Sequence, residues 1–260
     1  MNFSSITDRL FLVTWTDLSP YETNVLVYHG SGINLIIDTF LGPSKMKQML
    51  RLLPEPSSNT PYIIVNTHYH FDHVWGNSAF LSSVRISTSL CYQMMKRYFE
   101  VDKAANLTYW EPNNQICLPN CLITSTLTFP EAGIEVFPSP GHSEDSCSVF
   151  FRQEGVLAVG DNLERPIPYL ESQDWQKYLE TLDHYASIQA DKLIAGHGIV
   201  TQTDIETSKQ YIYAWQTHQT EKYDAEPYKN IHRQNKLHLS AQGDGVVGHT
   251  CPTTPSPWAE

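Results

Sequence analysis

The chain is short of cations, of paired cysteines and of long apolar runs, and each shortage removes a class of protein. Its 260 residues carry 17 Lys plus Arg against 28 Asp plus Glu, a formal net charge of −11. With only 17% charged residues, little is available for counterion release on a phosphate backbone, which disfavours a dedicated nucleic-acid binder. The five cysteines, Cys91, Cys117, Cys121, Cys147 and Cys251, are odd in number and form no C-x-x-C pair. Neither a disulfide framework nor a structural zinc site is indicated, and a reducing intracellular setting fits better. No stretch approaches the roughly 20 apolar residues that span a bilayer. The opening MNFSSITDRLFLV also lacks a basic segment followed by a sustained apolar one. The expectation is a soluble cytoplasmic protein.

What is present is enough to build a core, since 41% of the residues are hydrophobic and 12% aromatic, which excludes disorder. Short β-branched runs at 10–15, 24–29 and 33–37 read as strands, with Gly30 and Gly32 marking a turn. A helix follows from about Ser44 to Leu53, stopped by Pro54, and then YIIVN at 62–66 has the look of a buried strand. Residues 89–110 place Leu90, Met94, Met95, Tyr98 and Phe99 at helical spacing. Strand patterns resume at 122–128, 134–137, 147–151 and 155–159. A helix carrying Trp175, Leu179, Leu182 and Ala186 comes next, then a strand at 192–196. A last helix opens at Thr203, with Glu206 three residues on as in a capping box, and runs to about Tyr223. Two successive blocks of strands and helices predict a sandwich of two facing sheets with helices on both outer faces. The catalytic domain is expected over 1–224, with 89–110 as a helical lid and 225–260 as a polar tail.

Eleven histidines lead to the chemistry. Residues 68–73 read HYHFDH directly after an apolar run, a pattern expected by chance about once in a thousand chains of this composition. Imidazole nitrogens and carboxylates are what divalent first-row metals prefer, and a tight turn at a strand end aims several at one locus. Four candidate ligands within six residues also leave room for two metals. His142 in SPGHSED, Asp161 in VLAVGDN and His197 in LIAGHG each follow a glycine where an apolar strand stops. Singly, each reads as a turn residue; together with HYHFDH they read as a metal site.

HYHFDH, Gly141-His142, Gly160-Asp161 and Gly196-His197, in this order, resemble the motif set of the metallo-β-lactamase superfamily, with Asp38 in LIIDTF matching its first motif. The resemblance covers roughly residues 10–220 and implies an α/β fold, a four-layer αβ/βα sandwich with its metal site at one edge between the sheets. It also implies two divalent ions, zinc foremost, with iron and manganese as alternatives. His68, His70 and His142 match the ligands of the first ion, Asp72, His73 and His197 those of the second, and Asp161 the bridging carboxylate. Asp72 is in addition the expected catalytic carboxylate, and Asp38 is expected to orient a histidine through a hydrogen bond.

Asp161 stands where true β-lactamases of this superfamily usually carry Cys or Ser, so antibiotic hydrolysis is disfavoured. The resemblance then points to the glyoxalase II-like group, in which a metal-bridging hydroxide cleaves an ester-like bond: a thioester, lactone, carboxylic ester or phosphoester. NLERPIPYLES, after the bridging position, departs from glyoxalase II itself. Tyr98, Arg165 and Tyr169 are the candidate substrate contacts. The expected partner is a small-molecule substrate, with no nucleic acid and no membrane; a homodimer is compatible with the chain. A mono-iron persulfide dioxygenase and a metal-binding sensor are the competing readings. Cys117 and Cys121 have no partners in sequence, and His184, His218, His232, His238 and His249 are expected at the surface.

Overall fold

Alternation of side chains along each strand sorts the apolar residues into three cores. The computed structural model describes residues 1–243 apart from residues 20, 57 and 58. One sheet contains, in spatial order, β1 (Asn2–Ser5), β2 (Leu10–Trp15), β3 (Thr23–His29), β4 (Asn34–Ile37), β5 (Tyr62–Val65), β6 (Arg85–Thr88) and β7 (Cys121–Ile123). The other runs β13 (Ile199–Val200), β12 (Lys192–Ala195), β11 (Val156–Gly160), β10 (Cys147–Phe151), β9 (Ile134–Pro138) and β8 (Leu127–Phe129). Within β2, Leu10 and Leu12 point toward the second sheet while Phe11, Val13 and Trp15 point away from it. Within β11, Val156 and Ala158 point inward and Leu157 and Val159 outward. Each fully buried Leu, Val or Phe contributes about 1.5–3 kcal/mol relative to exposure.

Helices cover the outer faces. α1 (Pro43–Leu50) and α3 (Ser89–Ala105) pack Met46, Met49, Cys91 and Met95 into the outer core of the first sheet. α4 (Trp175–Ile188) and α5 (Gln202–Gln216) close the second with Leu179, Leu182, Ile205 and Ile212. This is the expected four-layer sandwich. The stripe at 89–110 that suggested a lid is instead buried on the first sheet's outer face, with Tyr98 at its edge.

Two further expectations shift. The helix predicted from Thr203 begins at Gln202 and ends at Gln216, and its capping box is formed by Thr201 and Asp204. The segment read as a polar tail contains α6 (Lys229–Gly243), which buries Ile231, His232, Asn235 and Leu239 against the second outer core. His232, expected at the surface, is fully buried, its Nδ1 at 2.8 Å from the Tyr211 hydroxyl. Cys117 is buried and Cys121 half-buried; His249 and Cys251 lie outside the described residues. Among the described residues no helix is long and apolar enough to cross a membrane.

Parallel pairing decides where the site can be. β4 and β5 are parallel, as are β11 and β12, so their carboxyl ends lie on one edge, and chain leaving such ends is where α/β sheets bind ligands. Hydrogen bonds tie the two sheets together there: Cys147 N–H donates to Thr67 O at 2.7 Å and Asn24 N–H to Gly196 O at 2.7 Å.

Candidate metal centre

Five imidazoles and two carboxylates predicted as ligands converge on this edge. The chain leaving β5 supplies His68 and His70, and α2 (Phe71–Val74), a single turn, carries Asp72 and His73. His142 lies between β9 and β10, Asp161 follows β11, and His197 follows β12. Gly160 adopts φ +55 at the turn into Asp161, a left-handed conformation that glycine reaches without steric cost. At Gly196 a Cβ would collide with the Asp161 carboxylate and stand 2.7 Å from His73 Cε1, so only glycine lets β12 approach so closely.

The ligand atoms form two sets around a shared carboxylate. One ligand atom each of His68, His70, His142 and Asp161 lie within 4.8 Å of one another, as do those of Asp72, His73 and His197. Asp161 Oδ2 stands between them, 3.5 Å from His68 Nε2, 3.4 Å from His73 Nε2 and 3.2 Å from His197 Nε2. Asp72 Oδ2 is 3.4 Å from His197 Nε2. All seven residues predicted as ligands are therefore brought together, in the predicted grouping.

Each imidazole has its outward nitrogen committed elsewhere. His73 Nδ1 donates to Asp38 Oδ2 at 2.8 Å, the contact expected of Asp38. His142 Nδ1 donates to Tyr169 O at 2.9 Å, and His197 Nδ1 to Glu22 O at 3.0 Å. His70 Nε2 donates to Glu171 Oε1 at 2.9 Å. The Thr67 hydroxyl donates to Asp38 Oδ2 at 2.7 Å, which leaves its oxygen to accept from His68 Nδ1 at 3.1 Å. With those tautomers fixed, lone pairs on His68 Nε2, His70 Nδ1, His142 Nε2, His73 Nε2 and His197 Nε2 all face the same interior.

Charge at the site follows. Burial and neighbouring histidines hold His68 below its ordinary value, and burial does the same at His142. Burial opposes charge at His70 and His197 too, but Glu171 raises the former to about 9 and Asp161 the latter to about 10. Asp161 is itself held well below the carboxylate range by His197, His73 and His68, against its burial. The buried atoms Asp72 Oδ2, His73 Nε2 and Asp161 Oδ1 make no hydrogen bond. Without a cation, protons on His70 and His197 offset the carboxylate charge; a divalent ion would take the place of those protons and meet the inward nitrogens and the unpaired carboxylate oxygens.

The substrate candidates fare unevenly. Tyr98 packs against Tyr69 with ring centroids 5.6 Å apart and planes tilted by 46°, one side chain removed from His70. Tyr169 meets the cluster through its backbone, its O at 2.9 Å from His142 Nδ1, while its hydroxyl lies 3.2 Å from that of Tyr21. Arg165 is not brought to the cluster: its guanidinium forms a two-pronged pair with Asp204, at 2.8 and 2.6 Å. Sequence reasoning passed over Glu164 and Glu171, both close to the histidines. Burial and Asp161 push the Glu164 carboxyl up to about 8. Their signal was available as two acidic residues in a segment whose Leu163, Ile167 and Leu170 are buried.

Comparison with known proteins identifies the family and the fold. The sequence model of the metallo-beta-lactamase superfamily matches residues 18–197. The acyl-coenzyme A thioesterase MBLAC2 of Gallus gallus is 24% identical over 212 residues, 72% of this chain and 74% of that protein. A beta-lactamase-like protein 2 homolog of Caenorhabditis elegans is 23% identical over 163 residues; the match spans 62% of this chain but only half of that protein. Among solved structures, the metallo-beta-lactamase FIM-1 from Pseudomonas aeruginosa in its mono-zinc form superposes with a TM-score of 0.66 at 16% identity, covering 82% of this chain and 95% of that one. A metallo-beta-lactamase from Pontibacter korlensis gives 0.63 at 17% identity, over 82% and 98%. At such identities these two structures speak for the fold alone.

Proposed function

Because the chain belongs to the metallo-beta-lactamase superfamily, we propose that it is a metal-dependent hydrolase cleaving an ester-like bond in a small molecule, with thioesters the first class to try. The observation that carries the reading is the set of five histidines whose outer nitrogens are all hydrogen-bonded, so that their other nitrogens share one interior with Asp72 and Asp161. His68, His70, His142 and Asp161 would hold one divalent ion and Asp72, His73, His197 and Asp161 a second. Ions held there would supply Lewis acidity and draw the pKa of a nearby water toward neutrality.

The chain's own residues supply position and proton handling. Asp72, buried and with Oδ2 free of hydrogen bonds, is placed to take up a proton released at the site. Asp38, Thr67 and Glu171 fix imidazole orientation. Tyr69 and Tyr98 pack beside His70, where an apolar acyl group would meet them, and the Tyr169 hydroxyl, paired with that of Tyr21, is the other candidate substrate contact. The likeness to an acyl-coenzyme A thioesterase supports the thioester class. The excess of acidic residues supports a small-molecule substrate over nucleic acid; a cytoplasmic location and a homodimer complete the proposal.

The test is metal quantification on protein made in its native host, joined to a panel of thioesters, lactones, carboxylic esters and phosphodiesters. About two ions per chain are expected, with turnover lost on chelation and in His70→Ala or Asp161→Ala. Full activity after chelation, or a single iron with oxygen uptake on a persulfide, overturns the reading.

A further inference from the structure

We propose that Glu164 is an additional ligand of the second metal position, which makes that position oxygen-rich and shifts its preference toward six-coordinate ions such as Mn2+ or Fe2+. The inference rests on the two-ion reading above and deepens it. One ligand atom each of Asp161, Glu164 and His197 lie within 4.8 Å of one another, a third such set beside the two already described. Glu164 is only 6% exposed. Its Oε2 accepts the Tyr169 N–H at 3.0 Å, which fixes the carboxylate in place. The turn that carries it is clamped by Asn162, whose Oδ1 accepts from His142 N–H at 2.8 Å and whose Nδ2 donates to Ser139 O at 2.7 Å and to the Tyr185 hydroxyl at 2.8 Å.

Two observations independent of Glu164 point to a cation there. Asp161 Oδ1 and His73 Nε2 are buried without a hydrogen-bond partner, and a Cβ at Gly196 would stand against both Asp161 Oδ1 and the His73 ring. A buried carboxylate facing another is stable only with a cation or a shared proton between them. Donor chemistry separates the two positions. The first offers three imidazoles and the bridging Asp161; on the other side the Asp72, His73 and His197 set shares His197 with the Asp161, Glu164 and His197 set, so the two sets together offer two imidazoles and three carboxylates. Five protein donors, three of them carboxylates, exceed what tetrahedral zinc uses and suit an octahedral, harder ion.

The experiment titrates metal-free protein with Zn2+ and, separately, Mn2+, comparing the parent with Glu164→Gln, which keeps the shape of glutamate without its charge. Affinities for the first and second equivalents are read by chelator competition, and bound Mn2+ by electron paramagnetic resonance. The expected result is a second-equivalent Mn2+ affinity lowered at least tenfold, a smaller loss for Zn2+, and an unchanged first equivalent. Unchanged second-equivalent affinities in a parent that binds two ions overturn the inference alone, and identify Glu164 as a neutral acid. A parent that binds one ion overturns the two-ion reading and the inference with it. Should Glu164→Gln fold poorly, Glu164→Asp tests the same point: retaining charge but retracting the carboxylate, it is expected to weaken the second Mn2+ with the Zn2+ first equivalent intact. An unaffected second equivalent there overturns the inference as well.

Discussion

Replacing Asp38 separates its structural task from its task toward the metal. The residue adopts φ +63, is buried, and accepts three hydrogen bonds: from Thr67 N–H at 2.8 Å, the Thr67 hydroxyl at 2.7 Å and His73 Nδ1 at 2.8 Å. Bonds to a charged group are worth about 1.5–3 kcal/mol each, but these three share one carboxylate and do not add. Asp38→Ala strands three buried donors and leaves alanine in the left-handed region. We expect metal-free protein to lose about 3–5 kcal/mol. Asp38→Asn keeps one acceptor for Thr67 N–H and tolerates that backbone, but turns an amide donor toward the donor at His73; the loss should be about 2 kcal/mol. Both variants free His73 to rotate, so metal affinity should fall roughly 10–100-fold. Urea unfolding of metal-free protein gives the first quantity and chelator competition the second. An asparagine variant that binds metal as tightly as the parent would refute the claim that Asp38 sets the orientation of His73.

Two further predictions test parts of the molecule outside the ligand set. Asn235 on α6 donates to Pro168 O and the Tyr211 hydroxyl, both at 2.9 Å, and accepts from Leu170 N–H at 3.0 Å. Asn235→Ala should cost about 2–4 kcal/mol and speed amide hydrogen exchange at Tyr169, Leu170 and Glu171; unaltered exchange would mean that the loop is held by other contacts. Burial pushes the Asp145 carboxyl up to about 6, with Ser143 and His70 pulling against it. The folded state thus binds that proton more tightly than the unfolded chain, so this contribution to stability is complete below about pH 4 and is lost as pH rises through about 6. Asp145→Asn should flatten that slope and leave the variant about 1–3 kcal/mol more stable than the parent at pH 8. Urea midpoints at pH 5 and pH 8 that shift in parallel for both proteins would count against this.

The sheets and the inner side of the site were legible because their signals are carried by side-chain type. Period-two alternation in LFLVTW, NVLVYH and VLAVG marks faces that must be buried, and His or Asp after such a run has few bland explanations. The errors arise where a side chain's role depends on a partner distant in sequence. TQTDIE satisfies the capping pattern twice, from Thr201 and from Thr203, and Asp204 decides in favour of the first because it also pairs with Arg165. That pairing removes Arg165 from the substrate candidates. α6 escaped notice because two of its buried residues, His232 and Asn235, are polar, so its buried face has no apolar period. Both hydrogen-bond to the Tyr211 hydroxyl, 21 and 24 residues away.

The same distinction explains why the shell behind the ligands is the less readable half of the site. The ligand atoms come from both sheets, Asp72, His68, His70 and His73 from the first and His142, Asp161 and His197 from the second, so the site forms only when the sandwich closes. Two of the outer partners, Glu22 O and Tyr169 O, are backbone carbonyls that any residue could supply. They constrain where the backbone runs and leave the side chain unconstrained, so no motif records them. A third partner, Glu171, has side-chain identity but arrives 101 residues after His70, on a loop held by Asn235 of α6 and by its own N–H on His142 O at 2.8 Å. The tautomer of His70, and with it the direction of the lone pair that would meet a metal, is therefore set by an element that the sequence pattern assigned to the tail.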